Sequence, residues 1–125
     1  MRDYPGEAGF NKWLRSYKNN AKSRKLEFTL TSEQFRVIVQ RNCYFCDAGP
    51  KLRTWASPGH GHKSKESIEH SSYRCNGIDR LDNDKGYTPI NSVTSCGECN
   101  LAKGTKSLQE FINWIQKVHN NLELG

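Results

Sequence analysis

No run of about 18 consecutive apolar residues occurs anywhere in the chain, so no segment reads as membrane-spanning. Residues 1–10 lack the charged start and apolar centre of a secretory signal, so an intracellular setting is expected. For a viral source that means the host-cell cytoplasm, with the nucleus also open. No repeat period and no proline- or glycine-rich linker divides the 125 residues, so one domain is expected over 1–125. Apolar residues are scarce, at 34%, and a chain of this size with so few needs help from a staple. Acidic residues are also short: 19 Lys and Arg stand against 13 Asp and Glu, a formal charge of +6. That excess favours a polyanion as partner, nucleic acid first.

Cysteine is the residue present in excess. Five cysteines without a secretory signal argue against a disulfide framework. Four of them form two C-x-x-C pairs, Cys43/Cys46 and Cys96/Cys99. Each pair sets two thiolates on one tight turn, as tetrahedral zinc requires, so one structural Zn²⁺ per chain is expected. A redox site would need only one pair beside a βαβ pattern, which is absent. The fifth, Cys75, is read as a small buried side chain; a second metal site with His60, His62 or His70 fits no common spacing.

Hydrophobic periodicity gives a coarse element order. Phe10, Trp13, Leu14, Tyr17 and Ala21 predict a helix over about 10–22, with Lys12, Arg15, Lys18 and Lys22 on a neighbouring basic face and Arg24 and Lys25 just beyond. A face of this kind either contacts a nucleic-acid backbone or is simply solvated. Phe28 and Leu30 suggest a short strand. Thr31 and Gln34 have capping-box spacing ahead of Phe35, Ile38 and Val39. The polar stretch at about 48–72 reads as an insertion loop. Strands are expected near Ile78–Leu81 and Ser92–Ser95, joined by the turn-forming Asn83-Asp84-Lys85-Gly86, and a helix from Cys96 to Lys103. Ser107 and Glu110 cap a last helix with Leu108, Phe111, Ile112, Ile115 and Val118 on one face. The domain thus divides into a basic helical part (1–42), a zinc-stapled core (43–106) and a C-terminal helix (107–125), an α+β chain with little sheet.

The order of residues between and around the cysteine pairs resembles the HNH endonucleases of the ββα-metal (His-Me finger) superfamily. The likeness is to the zinc-knuckle branch found in phages and mobile elements. It is carried by Ile78, Asp79, Arg80, Asp82 or Asn83, Gly86, Tyr87, Asn91, Cys96, Cys99, Asn100 and Lys103, with support from the segments on either side. The resemblance implies a β-hairpin and a helix gripping one divalent ion, Mg²⁺ or Mn²⁺ by the hardness of the oxygen donors, with Ni²⁺ or Zn²⁺ as further options. It implies Asp79 and Asn100 as ligands of that ion, Asn91 as the brace of the hairpin, and metal-dependent cleavage or nicking of DNA as the activity. Lys12, Arg15, Lys18, Lys22, Arg24, Lys25 and Lys103 would meet the DNA, most plainly a duplex. Monomer and dimer are both open.

One position departs from the family pattern. Arg80 stands where the family carries its general-base histidine, and a guanidinium cannot accept a proton near neutrality. Three readings follow. Arg80 contacts phosphate while His60, His62, His70, Asp82 or Tyr87 is the base; the metal alone activates water; or cleavage is lost and a zinc-stabilised nucleic-acid-binding module remains.

Overall fold

The computed structural model describes residues 6–54 and 71–123. Helix α1 (Glu7–Ser23) and helix α2 (Ser32–Val39) lead into two short antiparallel hairpins, β1 (Lys51–Thr54) with β2 (Ser72–Cys75) and β3 (Gly77–Arg80) with β4 (Ser92–Ser95). Helix α3 (Gly97–Lys103) and helix α4 (Leu108–Leu122) complete the α+β order.

Two expectations are corrected. The stretch at 48–72 is not loop throughout, since Lys51–Thr54 pairs with Ser72–Cys75, Lys51 opposite Cys75 and Thr54 opposite Ser72. Strand β1 has no buried alternation, with Lys51, Leu52 and Thr54 exposed, and the alternation of β2 is confined to Tyr73 and Cys75. Phe28 and Leu30 form no strand; Phe28 makes only an isolated parallel bridge with Tyr87. Both capping boxes form as their spacing predicts, Thr31 with Gln34 and Ser107 with Glu110.

The apolar core is small and aromatic. Phe10, Leu14 and Ala21 of α1 pack with Phe35, Ile38 and Val39 of α2, and with Tyr73, Ile78 and Tyr87. Phe10, Tyr17 and Phe35 meet edge to face, 5.5–5.9 Å between ring centres, an arrangement their quadrupoles favour. Arg36 fastens the two helices: its guanidinium lies over the Phe10 ring and reaches Glu7 at 3.1 Å. One glycine is required by close approach. A Cβ on Gly86 would fall 2.2 Å from the Glu27 carbonyl oxygen, so the chain before α2 can run hard against the β3–β4 loop.

Helix α1 is fixed in register against β3 by two side chains. Trp13 Nε1 donates to the Asn76 carbonyl (3.0 Å), and the Ile78 amide donates to the Tyr17 hydroxyl (2.8 Å). This contact sets a helix face beside the hairpin that the sequence singled out.

Candidate metal centres and the cavity beside them

The two cysteine pairs, 49 residues apart on either side of the hairpins, converge. The sulfurs of Cys43, Cys46, Cys96 and Cys99 all lie within 4.8 Å of one another. Cys46 and Cys96 are separated by 3.7 Å, close to the edge of about 3.8 Å that a tetrahedron with Zn–S bonds of about 2.3 Å demands. Amide groups point at the sulfurs, Phe45 N–H to Cys43 and Cys99 N–H to Cys96, both at 3.4 Å, as the outer shell of a thiolate site does. Burial opposes ionisation of Cys43, but the surrounding N–H groups of Cys96, Cys46 and Phe45 outweigh it and bring the thiol down to about 7. Cys99 moves the other way, raised by burial and by its sulfur neighbours. Four crowded thiols that cannot all ionise alone fit a cation such as zinc.

Asn76 joins the first pair to the hairpins. Its side chain donates to the carbonyls of Arg41 (2.9 Å) and Ala48 (3.2 Å), holding both ends of the first knuckle, and its amide donates to Val39. Tyr44 N–H bonds Thr94 of β4 at 2.9 Å, so the knuckle lies against the strand that leads into Cys96. Nothing in the sequence marked Asn76 for this work. Cys75 is buried, as expected, and burial pushes its thiol up to about 11.

The β3–β4 loop is closed by side chains. Asn91 donates to the carbonyls of Asp82 (3.0 Å) and Gly86 (2.9 Å) and accepts from the Asp82 amide (2.8 Å), so one buried carboxamide spans the loop. Arg80 Nη1 donates to the carbonyls of Asn83 (2.6 Å) and Lys85 (2.9 Å), and its guanidinium lies 5.6 Å from the Tyr87 ring centre. Asn83 reaches the Thr105 and Lys106 carbonyls, tying the loop to the α3–α4 connection.

A cavity of about 250 Å³ opens between hairpin, α3 and α1. Asp79 and Arg80 enter it from β3, Asn100 from α3 and Tyr87 from the loop, so four residues named from the sequence share one space. An aspartate and a carboxamide beside each other are oxygen donors of the kind a hard divalent cation takes. Burial pushes the Asp79 carboxyl up, and the Lys103 ammonium 2.9 Å away opposes that rise.

Other named residues fall elsewhere. Lys103, expected against DNA, is a correction: it is fully buried, with its ammonium between Asp79 and the Arg80 carbonyl. Its position one turn past Asn100 on α3 turns it inward. Asp82 faces away from the cavity, where its carboxylate accepts the Asp84 amide in an Asx turn and meets Lys85 at 4.0 Å. His60, His62 and His70 lie outside the described residues. Lys12, Arg15, Lys18 and Lys22 are exposed on α1. The opposite wall of the cavity comes from α1 itself, through Trp13, Ser16, Tyr17, Asn20 and Arg24. Sequence periodicity assigned Trp13 and Tyr17 to the core face; the polar residues beside them at the same helical spacing were the available signal. Burial drives the Tyr17 hydroxyl well above the usual tyrosine range.

No protein-family model matches the chain. Uncharacterized protein R423 of Acanthamoeba polyphaga mimivirus is 36% identical over 110 residues, which are 88% of this chain and 17% of that protein's length. Among solved structures, the rare-cutting HNH restriction endonuclease PacI aligns over 93% of this chain and 82% of its own, with a TM-score of 0.56 and 21% identity. The chain therefore shares its small α+β fold with an HNH endonuclease, and its four convergent cysteines are compatible with zinc.

Proposed function

We propose that the protein is a metal-dependent DNA endonuclease that nicks or cuts phosphodiester bonds. The observation that carries this reading is the meeting of Asp79 and Asn100, from a hairpin and a helix, in one cavity. A fold shared with a restriction endonuclease and a net charge of +6 support it. The cysteines would hold one structural Zn²⁺; Asp79 and Asn100 would hold Mg²⁺ or Mn²⁺.

A divalent ion in such a site supplies Lewis-acid stabilisation of the charge that develops on phosphate and leaving oxygen. The chain's own residues do the rest. Asn91 keeps the loop closed, so Asp79 and Arg80 stay aimed at the cavity. Arg80 spends one nitrogen on the loop carbonyls and offers its remaining edge to a phosphate. Arg80 does not take the proton. Asp82 is turned away from the cavity, whereas Tyr87 lines it. The proton acceptors that remain are His60, His62 and His70, whose ordinary pKa suits the task, and Tyr87, with metal-activated water as the alternative that needs no side chain.

The test is supercoiled plasmid incubated with Mg²⁺, Mn²⁺ or excess EDTA, beside Asp79→Ala. Open circles from the wild type, absent with EDTA and with the variant, are expected. Plasmid left intact in every arm, with gel shifts retained, would replace this reading by a catalytically inactive nucleic-acid-binding module on the same fold.

A further inference from the structure

Helix α1 presents two polar stripes on different faces. At 100° per residue, Arg15, Lys18 and Lys22 are centred about 165° from the stripe that contains Ser16, Asn20 and Arg24, while Lys12 lies about 40° from Ser16. The buried Phe10, Leu14 and Ala21 lie between them. The helix cannot rotate to exchange these faces, because Trp13 and Tyr17 are hydrogen-bonded to the backbone of Asn76 and Ile78. Arg15, Lys18 and Lys22 therefore point away from the cavity, while Ser16, Asn20 and Arg24 line it together with Asp79 and Asn100. These three offer a hydroxyl, a carboxamide and a guanidinium, each a donor suited to phosphate oxygens. They succeed one another about every 6 Å along the helix axis, so they run as a track rather than a cluster.

We propose that Ser16, Asn20 and Arg24 are positioning residues that hold the scissile strand beside the cavity. The Arg15, Lys18 and Lys22 stripe attracts DNA from the far side of the helix and does not set where the cut falls. This rests on the endonuclease reading. It separates two roles that net charge alone merges: one stripe supplies long-range attraction, the other supplies registration.

Two paired variants distinguish the stripes, Asn20→Ala with Arg24→Gln, and Lys18→Gln with Lys22→Gln. All four positions are exposed, so both proteins are expected to fold, with zinc content and melting temperature as the check. Single-turnover cleavage is measured on a linear duplex across DNA concentrations, and binding across salt concentrations. The Asn20/Arg24 pair should lose about tenfold or more of the rate at saturating DNA, as misplacement of a reacting group does. Arg24→Lys should restore part of it. The Lys18/Lys22 pair should bind more weakly, flatten the salt slope by about 0.9 per lost phosphate contact, and have its deficit close as DNA is added. Equal losses of saturated rate in the two pairs, or a loss confined to the lysine pair, would overturn the proposal. Should the wild type bind DNA yet cut nothing, the endonuclease reading fails separately. Ethylation interference then decides the track: phosphates whose modification blocks wild-type binding should lose that effect in Asn20→Ala/Arg24→Gln, and an unchanged pattern rejects it.

Discussion

The ammonium of Lys103 stands 2.9 Å from Oδ2 of Asp79, and both side chains are shut away from water. The lysine thus occupies one side of the carboxylate that the proposed function gives to a divalent ion. It ends α3, one turn beyond Asn100, so the same short helix supplies an oxygen donor to the cavity and a fixed positive charge beneath it. An aspartate buried this deeply could not stay ionised without a cation close by.

Lys103→Met tests this directly. Removing one partner of a buried ion pair typically costs about 3–5 kcal/mol, because the remaining charge is left uncompensated. With zinc bound and no other divalent ion added, the variant should melt well below the wild type, and Mn²⁺ should raise its melting temperature by more than it raises the wild type's. Adding Asp79→Asn to Lys103→Met should recover most of the lost stability. A zinc-loaded Lys103→Met protein as stable as the wild type without other divalent ions would mean the pair does not hold the hairpin to α3.

Zinc removal should act on the whole domain rather than on one loop. The knuckles join α2, β4 and α3, and the core between them is small. Binding energy at such a site is folding energy. Metal analysis should return about one zinc per chain, and Cys43→Ser or Cys99→Ser should lose its cooperative melt. A folded, zinc-free Cys43→Ser protein would contradict a structural role.

Much of this architecture was legible because its signals are local. C-x-x-C spacing, the two capping boxes and the turn residues at 83–86 each act within a few residues, and the helices and the β3–β4 hairpin follow them. What was not legible depends on partners distant in sequence. Asn76 reads as an ordinary asparagine until its side chain meets Arg41 and Ala48. Lys103 reads as a surface cation until the hairpin closes over it. The β1–β2 pairing joins the two ends of the insertion, and the alternation of Tyr73 and Cys75 in β2 is too short to announce it. The cavity wall from α1 depends on how Trp13 and Tyr17 dock, which periodicity alone does not fix.

The Ser107–Glu110 capping box gives a pH signature. Glu110 accepts the Ser107 amide at 2.9 Å and Ser107 Oγ accepts the Glu110 amide at 3.1 Å, which holds the Glu110 carboxyl below its usual range. The native state favours the ionised form. The stabilisation is therefore complete above the ordinary glutamate value of about 4.3 and is lost as pH falls through the lowered native value. Urea melts between pH 6 and 3 should show this decline, and Glu110→Gln, which keeps an acceptor oxygen but no charge, should remove that component. Ser107→Ala should cost about 1 kcal/mol at neutral pH. An identical pH dependence in wild type and Glu110→Gln would mean that the carboxylate adds nothing to the cap.

Asn91 links stability to the site most directly. Its carboxamide makes three hydrogen bonds across the β3–β4 loop, and two of them need the Nδ2 donor. Asn91→Ala leaves the Gly86 carbonyl and the Asp82 backbone groups without that partner, a loss of about 1–3 kcal/mol for each buried group left unsatisfied. Asn91→Asp keeps the acceptor for the Asp82 amide but replaces the donor with a carboxylate oxygen facing two carbonyls, so it should be at least as damaging despite its near-identical shape. Because Arg80 also depends on the Asn83 and Lys85 carbonyls of this loop, both variants should release the guanidinium along with the turn. Hydrogen exchange should therefore quicken at residues 81–91 while the amides of α2 keep their protection, and plasmid nicking should fall with zinc still bound. Faster exchange spread evenly over the domain would instead make Asn91 a general support of the fold, with no particular hold on the loop that carries Arg80.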